Sequence, residues 1–132
     1  MLKFLVVGDT NVGKTSILRR FAKRAFNGER NKTVGLEHIN VWLFSNAPQY
    51  DRRTSVTLID TQGHDKFGTP VPQMLRSPFG IFFVFDSTNE ASFKSLTRWR
   101  ELIGKYNSFA RCMLVANKIG RASCRERVYA CV

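Results

Sequence analysis

Short apolar runs alternate with polar, glycine-bearing stretches along the chain, and each run has a readable period. Leu2 to Val7 is apolar except for Lys3 and ends at Gly8. From Lys14 onward, Ile17, Leu18, Phe21 and Ala22 recur on one side of a helix. The first 22 residues therefore predict a strand, a tight loop and a helix. Residues 27–37 are polar and aperiodic, which predicts a loop, whereas Ile39 to Phe44 alternates as a strand does. Asn46, Pro48 and Asp51 mark Ser45 to Arg53 as the turn of an antiparallel hairpin into a strand at Val56 to Ile59. Gly63, Gly68, Pro70 and Pro72 restrict helix formation between Thr61 and Ser77, so a mobile segment with at most a short helix is expected there.

Ile81 to Phe85 predicts a buried strand. Asn89 or Ser87 can cap a following helix in which Phe93, Leu96, Trp99, Ile103 and Tyr106 form a core-facing stripe. Met113 to Ala116 is a last short strand, ending at Asn117. Strands alternating with helices predict an α/β fold, a mostly parallel sheet flanked by helices, with ligands bound at the carboxyl ends of its strands.

Composition narrows the class. With 132 residues and 43% hydrophobic content, one domain with a real core is expected, and two are not. Phe79 to Phe85 is the longest apolar stretch, well short of the roughly 20 residues that span a bilayer. The opening MLKFLVVG lacks a basic leader, a long apolar core and a cleavage site, so a cytoplasmic setting is expected. Cys112, Cys124 and Cys131 are odd in number and lack metal-ligand spacing, against a disulfide framework or zinc, and Cys112 is expected to pack as a small apolar residue. A net charge of +11 suits anionic partners, but the basic residues are scattered. The cluster Arg19, Arg20, Lys23 and Arg24 reads as a solvated helix face, and no aromatic-basic interleaving marks a nucleic-acid platform.

Chemistry enters at Gly8-Asp9-Thr10-Asn11-Val12-Gly13-Lys14-Thr15, which fits G-x-x-x-x-G-K-[ST] directly after one strand and directly before a helix. Glycines at 8 and 13 let the backbone turn tightly and approach phosphate oxygens. Successive N–H groups from Gly8 to Ser16, including those of Asp9, Asn11, Val12 and Gly13, present positive potential together with the helix N-terminus. Lys14 is placed to reach β- and γ-phosphates, and the Thr15 hydroxyl is a hard oxygen suited to magnesium.

Further motifs follow in order, and residues 1–118 resemble small GTPases of the Ras superfamily, closest to the Rab branch. Thr33-Val34-Gly35 is similar to the first switch of that family, and the resemblance makes Thr33 a magnesium ligand and a γ-phosphate sensor. Asp60-Thr61-Gln62-Gly63 is similar to the family's D-x-x-G, which implies that Asp60 holds magnesium through water and that the Gly63 N–H meets the γ-phosphate. Asn117-Lys118 is similar to the guanine-reading motif, and Phe26 stands where an aromatic packs against the base; Phe26 reads equally as core. Phe79 to Asp86 followed by Ser92-Phe93 is similar to the Rab pattern of strand, aspartate and third helix. The resemblance implies a P-loop NTPase-type fold, GTP or GDP with magnesium as cofactors, and switch loops read by effector, exchange-factor and activating proteins. It implies membrane attachment, on the cytosolic face, only for a parent chain with a lipidated C-terminus.

Departures from the family pattern change the expected activity. His64 stands where the family places the glutamine that orients the attacking water, and a shorter imidazole predicts slow hydrolysis. Gln62 replaces a usual alanine, and Thr10 and Asn11 add side chains to the loop, narrowing the γ-phosphate space. Gly120 stands where N-K-x-D has its aspartate, whose two hydrogen bonds to guanine would be lost. Residues 119–128, IGRASCRERV, resemble an in-frame translation of a sequencing-library adapter, so 119–132 read as a non-native tail and 1–118 as a partial domain. A divergent or spliced native tail is the alternative. The family fold continues with a further strand and helix, so the domain is expected to be incomplete at the C-terminus, with its last strand an unprotected edge. Near the end of the chain Tyr129 is fourth from last and only Cys131 is close, so no prenylation motif is read.

These features favour a guanine-nucleotide switch that hydrolyses GTP slowly, with Lys14, Thr33, Gly63 and His64 in catalytic roles. A catalytically impaired, nucleotide-bound interaction module is the second reading. A P-loop kinase or ATPase would require a different lid and base pocket, and binding of a nucleic-acid polymer is not expected.

Overall fold

The computed structural model describes residues 1–22, 37–44, 53–61 and 75–120. Five strands, β1 (Leu2–Val7), β2 (Glu37–Phe44), β3 (Arg53–Asp60), β4 (Gly80–Asp86) and β5 (Arg111–Asn117), form one sheet in the order β2-β3-β1-β4-β5. β2 runs antiparallel to β3, from Glu37 opposite Asp60 to Phe44 opposite Arg53. The other pairs are parallel, with Leu5 beside Ile59 and Ile81, and Ile81 beside Cys112. The expected mostly parallel α/β sheet is therefore present; β1 keeps the bounds read from sequence, and each of the other four strands runs one or a few residues beyond its apolar run. The hairpin turn at 45–52, the loop at 27–36 and most of the segment at 61–77 lie outside the described residues.

Alternation along the strands gives the sheet two apolar faces. On one face, Leu5, Val7, Ile59, Ile81, Phe83 and Phe85 pack with Leu75 and with Leu96, Trp99 and Ile103. On the other, Val6, Ile39, Val56, Leu58 and Val84 pack with Val12 and Leu18. Helix α1 (Lys14–Phe21) supplies Leu18 to the second face. The first face is covered by α2 (Glu90–Lys94) and α3 (Leu96–Tyr106). The sheet's strand ends are thus held from both sides, which fixes the loop between β1 and α1.

Two expected details differ. The helix expected from Asn89 to Tyr106 divides at Ser95, whose hydroxyl donates to the Ala91 carbonyl at 2.9 Å, a back-bond that distorts helices. Asn89 is its cap, accepting from the Ala91 N–H at 3.1 Å, whereas Ser87 joins the sheet by donating its N–H to the Asn117 carbonyl at 2.9 Å. Phe21, expected on the buried side of α1, is 50% exposed, because burial centres on Lys14 and Leu18 and Phe21 falls in the last turn at the margin of that stripe.

Cys112 also departs from expectation. It is exposed rather than packed, because β5 is an edge strand and most of its residues face solvent on both sides, Met113 at 59% exposure among them. Partial desolvation by neighbouring atoms nonetheless raises its thiol pKa and Arg100 only partly offsets that, which argues against a reactive thiolate. The edge position expected of the last strand holds among the described residues.

Candidate functional site

The loop from Gly8 to Gly13 joins the carboxyl end of β1 to α1, and its two glycines are required by geometry. Gly8 has φ of +151° and Gly13 of +97°; a Cβ at Gly8 would collide with the Val84 carbonyl oxygen, and one at Gly13 with the Asn117 side-chain amide. Asn11 also takes a positive φ, of +65°. Gly13 is the N-cap of α1 and provides no side-chain hydrogen bond, and the first turn carries no acidic residue. The first turn of α1 therefore presents the positive end of the helix, where an anion is favoured.

Lys14 is buried under this loop at 6% exposure. Its ammonium donates to the carbonyls of Gly8 at 2.9 Å and Asp9 at 2.7 Å, which aligns the side chain along the loop. Burial lowers its pKa to about 8, and the carboxylates of Asp60 and Asp9 oppose that shift. Val12 packs inward with Val6 and Leu18, while Asp9 is half-buried and Asn11 and Ser16 are exposed.

Asp60 ends β3 with no solvent exposure. Its Oδ2 accepts a hydrogen bond from the Thr15 hydroxyl. Its Oδ1 is buried with no hydrogen-bond partner among the described residues. Burial raises its pKa, against the lowering effects of the Thr15 hydrogen bond and Lys14. An orphaned buried carboxylate oxygen costs about 1–3 kcal/mol unless a cation or water satisfies it. Together with the Thr15 hydroxyl it offers hard oxygen ligands, so the residues present fit a magnesium ion. Asp60→Asn is expected to weaken magnesium binding to nucleotide-loaded protein by about 10- to 100-fold, measured by magnesium titration.

The other wall of the site comes from the end of β5. The Asn117 amide donates to the Val12 carbonyl at 2.8 Å, and Lys118, at φ of +60°, donates to the Asn11 carbonyl at 2.6 Å. Asn117-Lys118 and the Gly8 to Gly13 loop, more than 100 residues apart in sequence, are thus in direct contact. Gly120 follows at φ of +95°. Thr61, the second residue of D-x-x-G, donates its hydroxyl to the Val6 carbonyl at 2.7 Å and ties that motif to β1.

Of the residues singled out from sequence, the structure gathers Gly8, Asp9, Asn11, Val12, Gly13, Lys14, Thr15, Ser16, Asp60, Asn117 and Lys118 at one end of the sheet. Phe26, Thr33, Gly63 and His64, with Gln62, lie outside the described residues. Sequence reasoning missed the role of Asp86. Partial burial pushes its carboxyl up, but the Thr88 hydroxyl and N–H and the Lys118 ammonium outweigh this and hold it below the usual carboxylate range. An acid closing one apolar strand, opposite the residue before a lysine on the next, was the available signal.

The family model described as the Ras family matches residues 3–128. Ras-related protein Rab-18 of Caenorhabditis elegans is 32% identical over 120 residues, covering 89% of this chain and 57% of that protein. Ras-related protein Rab-10 of Diplobatis ommata is 31% identical, covering 89% and 58%. Ras-related protein Rab-3A of Homo sapiens is 33% identical, covering 89% and 52%. The chain thus spans little more than half the length of these curated relatives. Among the described residues, no helix is long and apolar enough to cross a membrane.

Proposed function

The chain belongs to the Ras family, and on that premise we propose that it is a guanine-nucleotide-binding switch of Rab-like type that hydrolyses GTP slowly. The observation that carries this reading is the buried Lys14 beneath the Gly8 to Gly13 loop, beside a Thr15–Asp60 pair with one carboxylate oxygen unsatisfied. In this reading the loop N–H groups and the start of α1 bind the phosphates, and the Lys14 ammonium, aligned by its loop carbonyls, reaches β- and γ-phosphate oxygens. Thr15, Asp60 and Thr33 would hold magnesium, which when bound neutralises charge developing on the transferred phosphoryl group. By the family resemblance the Gly63 N–H would meet the γ-phosphate. Asn117 and Lys118 form the base side of the site, with Phe26 against the base.

His64 is assigned to the attacking water, which displaces the β-phosphate oxygen in line. Its imidazole orients water less well than a carboxamide because its reach is shorter and only one tautomer serves. His64→Gln is therefore expected to speed single-turnover GTP hydrolysis on the order of tenfold, the worth of one well-oriented hydrogen bond. Equal, measurable turnover in both forms would remove His64 from this role. Absence of turnover in both, with GTP retained, would favour a nucleotide-bound interaction module.

Partners would be effector, exchange and activating proteins that read the switch segments carrying Thr33 and Gly63. A cytoplasmic protein working in membrane traffic is the setting, with attachment to a cytosolic membrane face through a lipidated C-terminus of the parent. Residues 1–118 form the partial GTPase domain in this reading, and 119–132 a non-native tail. Sequencing the parent transcript past the Lys118 codon tests that division.

A further inference from the structure

Asp86 is not among the residues assigned to nucleotide or magnesium, yet its surroundings are built to fix it. Its Oδ1 accepts from the Thr88 N–H at 2.9 Å and the Thr88 hydroxyl at 2.6 Å. Its own N–H donates to the Ser92 hydroxyl at 3.0 Å, and its carbonyl accepts from the Asn89 N–H at 2.9 Å. Main chain and carboxylate are therefore both anchored to the start of α2. The remaining oxygen, Oδ2, meets the Lys118 ammonium at 3.1 Å, with the two side chains 13% and 23% exposed. A pair this shielded is screened less by solvent and salt than a surface pair.

Lys118 passes the constraint on. The same ammonium donates to the Asn11 carbonyl at 2.6 Å. Lys118 and Asn11 both have φ near +60°, a region that asparagine adopts readily and lysine only uncommonly, so the Lys118 backbone marks a specified turn. The amide of Asn117 makes a second, neutral tie at Val12. Without Asp86, Lys118 would be drawn to the Asn11 carbonyl by one hydrogen bond alone, and its long stem would be free to leave.

We propose that Asp86 is a positioning residue for nucleotide binding: it clamps the Lys118 ammonium on the Asn11 carbonyl and so fixes the phosphate loop to the base-reading end of β5. This deepens the nucleotide reading above and, for its effect on ligands, rests on it. The clamp is made entirely of the chain's own groups. Loss of the clamp should therefore show first in the loop and then in nucleotide retention.

The test compares the wild-type chain with Asp86→Asn, Lys118→Met and the double variant, by amide hydrogen exchange at residues 11–13 in nucleotide-free protein and by GDP dissociation in magnesium. Both single variants are expected to speed exchange at these amides and to speed GDP dissociation about tenfold, the scale of one charge-assisted hydrogen bond. The double variant should be no faster than Lys118→Met, since both residues form one latch. Asp86→Glu, which keeps the charge, should recover part of the loss, which a purely structural role would not predict. Wild-type exchange in Asp86→Asn, or effects that multiply in the double variant, would overturn the proposal. If exchange responds as expected but the wild-type chain binds no GDP, the latch stands and the nucleotide reading falls. Should Asp86→Asn not fold, Thr88→Val takes its place: faster exchange at residue 11 supports the clamp, and unchanged exchange overturns it.

Discussion

Lys14→Ala is expected to lower affinity for GTP by about two to four powers of ten, from the loss of two charge-assisted hydrogen bonds of about 1.5–3 kcal/mol each. The side chain is buried, aligned along the loop by two carbonyls and opposed to Asp60. Little rotamer entropy remains to be lost when the aligned ammonium meets phosphate oxygens, so most of the interaction reaches the affinity. Isothermal titration or fluorescent-nucleotide binding measures it. The pH dependence carries the same signature. In the free protein burial sets the Lys14 pKa at about 8. Bound phosphate favours the charged form and raises that pKa. Binding therefore takes up a proton above pH 8, and affinity is expected to be level below pH 8 and to fall as pH rises past it, at most about tenfold per pH unit. In Lys14→Ala this fall should vanish.

Gly120→Asp is the second large effect, and it acts on base choice. Restoring the aspartate of N-K-x-D supplies an acceptor for two guanine hydrogen bonds, worth about 3–6 kcal/mol together. Part of that gain is offset locally. Gly120 sits at φ of +95°, where an L side chain is strained by about 1–3 kcal/mol unless the backbone relaxes. The net expectation is a preference for GTP over ATP increased by about one to three powers of ten, with ATP affinity nearly unchanged. Competition of ATP against labelled GDP, before and after the substitution, measures this. Equal competition in both proteins would mean that position 120 does not face the base.

The phosphate loop was legible from sequence because everything that defines it is local. Two glycines, a lysine and a threonine at fixed spacing between a strand and a helix fall within eight residues, Gly8 to Thr15, and the required φ values at Gly8 and Gly13 follow from them. The mostly parallel sheet flanked by helices was legible as a fold class, whereas its strand order β2-β3-β1-β4-β5 was not. What could not be read was contact that depends on register between distant strands. The Asn117–Val12 and Lys118–Asn11 bonds and the Lys118–Asp86 pair exist only because Asp86 is placed beside Asn117 across β4 and β5. Burial at the sheet edge was misjudged at Cys112 for a related reason: apolar character shows that a residue can be buried, whereas the cover on its strand decides whether it is. At Ser95 a single hydroxyl, by bonding back to Ala91, interrupted a helix whose apolar stripe ran through it unbroken.

One measurement bears most directly on the central assignment of Gly8 to Ser16 and Asp60 as a magnesium-nucleotide phosphate site. GDP binding to the wild-type chain and to Lys14→Ala would be followed at equilibrium, each with magnesium and with a chelator. The account predicts saturable, one-to-one binding to the wild-type chain that weakens when magnesium is removed, and at least about a hundredfold weaker binding to Lys14→Ala. No binding to the wild-type chain, or equal affinity of the two proteins in magnesium, would contradict it.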